Sequence, residues 1–212
     1  RYDKPQAGRY RQFWQFGFES IGDDDPVIDA QLIIISYQIL RELGLDIEIQ
    51  INSIGDAECR PQYIKAIKQY YQTNKNDLCS ECSKRLLKNP LRLLDCKVKG
   101  CNELAESAPQ MVDYLDDDCK NHFMSVLEYL DELDVKYNLN HRIVRGLDYY
   151  SKTAWEIIET DESGKLHALG GGGRYDELVH TLGGRPTPAV GFAIGIERVI
   201  IKMQEKKVEV SK

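Results

Sequence analysis

Hydrophobic and polar positions change period several times along the chain. Residues 9 to 19, RYRQFWQFGFE, alternate as a strand does, with Arg9, Arg11, Phe13 and Gln15 on one face and Tyr10, Trp14 and Phe16 on the other. After Asp25-Pro26 the period becomes helical: Ile28, Leu32, Ile35, Ile39 and Leu43 recur until Gly44, and Pro26 is tolerated in the first turn. DIEIQIN then alternates strictly, which predicts a half-exposed antiparallel strand with Ile47, Ile49 and Ile51 inward. From 56 to 142 the pattern is mostly helical, with Ile64, Ile67 and Tyr71 on one stripe and Phe123, Leu127, Leu130 and Asp134 on another. Strands resume at 142 to 158 and turn at TDESGK. A further strand is expected to break at Gly170 to Gly173 into a short helix, and PAVGFAIGIERVIIKM reads as a buried strand running into a helix before a charged tail expected to be disordered. The pattern predicts an α+β fold, an antiparallel sheet with flanking helices. Its core is expected in two parts, 1–55 and 143–212, around an inserted, mostly helical lobe at 56–142.

Composition narrows the partners. With 28 basic and 34 acidic residues among 212, the net charge is −6, so the chain is not a polycation that holds nucleic acid by phosphate neutralisation alone. No apolar run approaches the roughly 20 residues of a membrane span and no export signal is evident, which predicts a cytoplasmic protein with no membrane partner.

Candidate chemistry lies in three places. Gly170 to Gly173 lets a ligand or neighbouring chain approach the backbone. It is neither a dinucleotide fingerprint, since Tyr175 stands where the last glycine belongs, nor a P-loop. Arg1, Arg9, Arg145 and Arg198 sit beside apolar, aromatic or glycine-containing sequence; four guanidinium forks suit a polyanionic ligand, and ion pairs with Asp3, Glu19, Asp148 or Glu197 are the plainer reading of any one of them. Cys79, Cys82, Cys96 and Cys101 form C-x2-C, thirteen residues, C-x4-C. Such spacing suits either a structural tetrathiolate zinc site or four reduced, half-buried thiols. Cys59 and Cys119 read as ordinary small residues.

Taken together, RYDKPQAGRYRQFWQFGFE, NSIGD, NPLRLLDC, RGLDYY, GGGGRYDEL and PAVGFAIGIER closely resemble the histidyl-tRNA synthetases, a family of class II aminoacyl-tRNA synthetases, over nearly the whole chain and in the same order. The first stretch resembles motif 2 and the last motif 3. The resemblance implies a class II antiparallel sheet and an ATP-dependent ligase that makes histidyl-adenylate and transfers histidine to the 3′ end of tRNA(His), with Mg2+ carried on the nucleotide. It implies Arg145 and Arg1 as catalytic residues, Gln15, Glu19, Arg145, Tyr149, Tyr150 and Tyr175 as histidine-binding, and Arg1, Arg9 and Arg198 as ATP-binding, with Arg174 and Tyr175 shaping the glycine-rich wall. The pair Tyr149-Tyr150 can reach one ligand only if the chain bends there, because neighbours on a regular strand point to opposite faces. The family's motif 1 and anticodon-binding domain have no counterpart in this sequence, so a core fragment of a homodimeric enzyme is expected. A histidine-sensing regulatory paralogue of ATP phosphoribosyltransferase is the alternative.

Overall fold

The computed structural model describes residues 10–144, 149–161 and 164–209; Arg1, Arg9, Arg145 and the last three residues of the charged tail lie outside them. Among the described residues, six strands form one sheet. They are β1 (Gln15–Ile21), β2 (Ile47–Ser53), β3 (Tyr137–Leu139), β4 (Ser151–Thr160), β5 (Leu166–Arg174) and β6 (Ala189–Gly195), in the order β1-β6-β5-β4-β2-β3. Neighbours are antiparallel except β2 and β3, which run parallel, so the sheet is mixed where the sequence predicts an antiparallel one.

The helices are α1 (Pro26–Glu42), α2 (Arg60–Thr73), α3 (Ser80–Lys88), α4 (Lys99–Glu106), α5 (Asp117–Glu132), α6 (Leu178–Thr181) and α7 (Ile196–Glu205). Helix α1 begins as expected: Asp25 caps it by accepting from the Val27 N–H, and Pro26 occupies the first turn, where its missing donor costs nothing. It ends at Gly44, whose φ of 75° only glycine adopts cheaply.

Three expectations need correcting. The first strand starts at Gln15, and residues 10–14 of the alternating stretch lie outside it: Trp14 instead donates its N–H to the Glu197 carboxylate and accepts from the Ile196 N–H, which ties the approach to α7. The buried stripe of α1 is Asp29, Ile33, Ser36 and Leu40, rotated from the apolar stripe, of which only Leu32 is fully buried. The cause is the buried ion pair between Asp29 and Arg174 of β5. Finally, Gly170 to Gly173 do not break the strand; they run through β5, paired to β4 on one side and β6 on the other.

Two cores form. The first gathers Ile33, Leu40, Ile47, Ile49, Ile51, Trp155, Ile157, Phe192 and Ile194 between α1 and the sheet, joined by Phe123, Val126 and Leu130 of α5. Fully burying each such side chain contributes about 1.5–3 kcal/mol. The second gathers Tyr63, Ile67, Tyr71, Leu86, Leu93, Leu94 and Met111 with buried cysteines around α2, α3 and α4.

Candidate active site

The sheet has a full face and a bare face. Strand alternation and the observed register put Trp155, Ile157, Phe192, Ile194, Ile49 and Ile51 against α1. On the other side lie Gly17 and Glu19 of β1, Gly191 and Ala193 of β6, Gly171 and Gly173 of β5, and Ala154 and Glu156 of β4. Along the adjacent strands β5 and β6 these positions carry nothing beyond Cβ, with Gly17 and Ala154 beside them, leaving a floor on which a flat or extended ligand can lie against backbone.

Glu19 and three tyrosines stand at one end of the floor. The Tyr149 and Tyr150 rings are 4.6 Å apart, and the Tyr175 ring meets them edge-on at 5.9 and 6.1 Å. The Tyr175 hydroxyl donates to the Glu19 carboxylate. Burial first, and then that carboxylate, push the Tyr175 phenol up, so it stays a proton donor at any ordinary pH. Both contacts depend on missing side chains. A Cβ on Gly191 would sit 1.6 Å from Glu19 Oε2, and one on Gly173 would sit 2.7 Å from Tyr150 Cδ1.

Tyr149 and Tyr150 both reach this cluster because they precede β4 in a turn and are not part of the strand. Just beyond, Lys152 takes φ 49° and the β4–β5 register shifts between Ser151 and Ala154. Arg60 holds the turn. Its guanidinium donates to the carbonyls of Tyr150 at 2.7 Å, Gly55 at 2.9 Å and Ile54 at 3.2 Å, joining the first turn of α2, the NSIGD segment and the tyrosine pair. The sequence does hold a hint of this: a cation in a helix's first turn opposes the macrodipole and needs another reason to be there.

At the far end are Gln15 and Arg198. Gln15 shares the Glu19 face four residues along β1, about 13 Å away at strand rise, beside Gly195. Arg198, in the first turn of α7, donates to the Ala168 carbonyl at 2.7 Å, and its Cδ lies 3.4 Å from where a Gly195 Cβ would be. Gln15 is thus on the floor but not in the tyrosine cluster.

Arg174 belongs to the opposite face, so it does not shape the glycine-rich wall. It is fully buried, donates from Nε to Asp29 Oδ2 at 2.9 Å and from Nη1 to Asp176 at 3.2 Å, and binds the carbonyls of Asp23 and Asp25. His122 of α5 approaches Asp29 from the other side at 3.3 Å. Burial alone would raise the Asp29 carboxyl, but hydrogen bonds from His122 and Arg174 outweigh it and hold the group below its ordinary 3.8. This pair is why α1 turns a polar residue inward, and it fixes the residue next to Tyr175.

Away from the floor, the Sγ atoms of Cys79, Cys82, Cys96 and Cys101 lie within 4.8 Å of one another. The Cys79 thiol is lowered to about 7, chiefly by the Cys82 N–H that donates to it. A separate trough on α2, lined by Pro61, Ile64, Lys65, Lys68, Gln69 and Gln72, shares no residue with either place.

The family model described as histidyl-tRNA synthetase matches residues 1–199. A histidine–tRNA ligase of Dehalococcoides mccartyi is 51% identical over 97% of the chain and 49% of its own length, and one of Halothermothrix orenii is 48% identical over 99% and 50%. The chain therefore spans about half the length of the curated relatives it matches. Apo S. aureus histidyl-tRNA synthetase superposes with a TM-score of 0.76 at 34% identity, covering 95% of this chain and 50% of that one. A Bacillus halodurans structure titled as an ATP phosphoribosyltransferase regulatory subunit/histidyl-tRNA synthetase matches at TM-score 0.58 and 19% identity, over 93% of this chain and 54% of that one, a likeness of fold alone.

Proposed function

Because the chain belongs to the histidyl-tRNA synthetase family, we propose that it forms the amino-acid-activating part of a histidine–tRNA ligase. Histidine and ATP give histidyl-adenylate and pyrophosphate, and the histidyl group then passes to the 3′ end of tRNA(His). The observation that carries the reading is the meeting of Glu19 with Tyr149, Tyr150 and Tyr175 at one end of a bare floor whose other end holds Gln15 and Arg198.

The roles follow from chemistry. Glu19 offers a carboxylate to the α-ammonium of histidine, and Tyr175, by donating to it, keeps that carboxylate aimed. The tyrosine rings wall the imidazole, an apolar body with polar nitrogens. Gly191, Gly173, Gly171 and Ala193 let the adenylate lie flat along about 13 Å of sheet, toward Arg198, a planar cation suited to stack on a purine. The histidine carboxylate attacks the α-phosphorus, a P–O bond forms and the bond to the pyrophosphate leaving group breaks. Arg145 and Arg1 neutralise charge building on that phosphorus, and Arg9 assists phosphate binding. Mg2+ enters on the nucleotide. A cytoplasmic location and a homodimer of the full-length protein belong to the same proposal; among the described residues no helix is long and apolar enough to cross a membrane.

Histidine-dependent exchange of labelled pyrophosphate into ATP tests this on the chain and on a longer version. Exchange in either, lost in Glu19→Gln, supports the activation reading. Histidine binding without exchange in both would replace it with a histidine sensor.

A further inference from the structure

The four-cysteine cluster has no part in the chemistry above, yet its geometry is that of a ligand set. Cys79 caps α3, accepting from the Cys82 N–H at 3.4 Å, and Cys82 sits one turn inside that helix. Cys96 follows the single-turn 3-10 segment Pro90–Leu93, and Cys101 lies in the first turn of α4. The Cys79 N–H donates to Cys101 Sγ at 3.2 Å, and Cys79 Sγ stands 3.9 Å from Cys96 Sγ. None of the four forms a disulfide. Four sulfurs held about 2.3 Å from a tetrahedral zinc are about 3.8 Å apart along each edge. The observed cage, with no edge beyond 4.8 Å, closes onto such an ion with shifts of about 1 Å at its longest edge.

We propose that Cys79, Cys82, Cys96 and Cys101 bind one zinc ion that staples α3 to α4 and completes the second core. Binding forms four Zn–S bonds, releases the four thiol protons to solvent and needs no oxidant or reductant. The ligand type selects the metal: four soft thiolates exclude magnesium and calcium, and the small cage has no room for a cluster carrying its own sulfides. Two helix N-termini and the N–H groups of Cys79 and Cys82 face the sulfurs, which suits their negative charge. With four protein ligands no coordination position is left for a substrate, so the role is structural.

The lobe has reason to need one. Helices α3 and α4 have nine and eight residues, too short to stand without tertiary support, and Cys82, Cys96 and Cys101 are themselves buried members of the second core. Cys79 alone is partly exposed, giving the ion a way in. The other compact group of ligand-type side chains, Asp56, Cys59, Asp116 and Cys119, has a different explanation. Asp56 accepts from the Glu58 and Cys59 N–H groups in the turn before α2, and Asp116 caps α5 by accepting from the Cys119 N–H, so both carboxylates already serve backbone donors.

The test is metal content and spectrum of the full chain, purified reduced and without chelator. About one zinc per chain is expected, and cobalt(II) exchanged for it should give the intense visible and thiolate charge-transfer bands of a tetrahedral tetrathiolate. Cys79→Ser should weaken retention and shift those bands, whereas Cys59→Ser should leave both unchanged. A folded chain with substoichiometric zinc and no tetrathiolate cobalt spectrum overturns the proposal. So does metal lost with Cys59 but kept without Cys79, or an iron-coloured protein. If a variant fails to fold, the unsubstituted chain's stoichiometry and cobalt spectrum still decide.

Discussion

Gly191→Ala isolates the contact between floor and carboxylate. The new Cβ would stand 1.6 Å from Glu19 Oε2 and 2.2 Å from Cδ, against a nonbonded contact of roughly 3.5 Å. The obstructing atoms are the end of an exposed, flexible side chain, so the fold should accommodate the methyl by moving Glu19, with stability changed by less than about 1 kcal/mol. The carboxylate, however, must retreat about 2 Å, leaving both the Tyr175 hydroxyl and the position proposed for the α-ammonium. Losing a contact to a charged group costs about 1.5–3 kcal/mol, so histidine affinity should fall roughly 10- to 100-fold, with the ATP constant little changed. Calorimetric titration of histidine and the histidine dependence of pyrophosphate exchange measure it. A double-mutant cycle sharpens it: in a Glu19→Ala background the added methyl should cost almost nothing. Additive losses, or a folded Gly191→Ala chain that binds histidine within threefold of the original, would refute the reasoning.

Tyr175→Phe removes the donor to Glu19 while keeping the ring, and should weaken histidine binding by about 1.5–3 kcal/mol in calorimetry with the melting temperature nearly unchanged. Arg60→Gln frees the Tyr150 carbonyl; the histidine KM in pyrophosphate exchange should rise more than the ATP KM, and restoring the contact with Lys should recover only part of it. Asp29→Asn leaves the buried Arg174 with only the longer, 3.2 Å contact to Asp176 as counter-charge, and urea unfolding at pH 7 should show a loss approaching about 3 kcal/mol. Since the folded Asp29 carboxyl is held below 3.8, its contribution is complete above that pH and is lost as pH falls through the folded value. The gap between Asp29→Asn and the original chain should therefore narrow in acid.

The elements best predicted from sequence are those whose local pattern and tertiary role agree. Ile47, Ile49 and Ile51 alternate because one side of β2 packs, and the ends of α1 are written in Asp25, Pro26 and Gly44. The burial of α1 is not legible in this way. Asp29 near a helix start looks like an ordinary dipole partner, and only Arg174, 145 residues on, draws it inside. Glycines favour turns when read locally, yet neighbours on both sides hold Gly170 to Gly173 extended in a central strand. The resemblance implies Gln15, Glu19, Arg145, Tyr149, Tyr150 and Tyr175 as histidine-binding; the structure gathers Glu19 with the three tyrosines, sets Gln15 four residues away along β1, and Arg145 lies outside the described residues. Arg60 is barely legible in sequence because its partners are backbone carbonyls, which carry no residue signature; its place in a helix's first turn is the one hint.

The two-sidedness of the sheet ties emptiness to solidity. Because side chains alternate with a period of two, inserting or deleting one residue in β6 would lift Phe192 and Ile194 out of the hydrocarbon interior and drop them onto the proposed ligand floor, and the same change in β5 would turn the buried Arg174 there. A single frame error would block the cleft and hollow out the interior together. Variation in these two strands should therefore arise by substitution, while length changes collect in the connections between them.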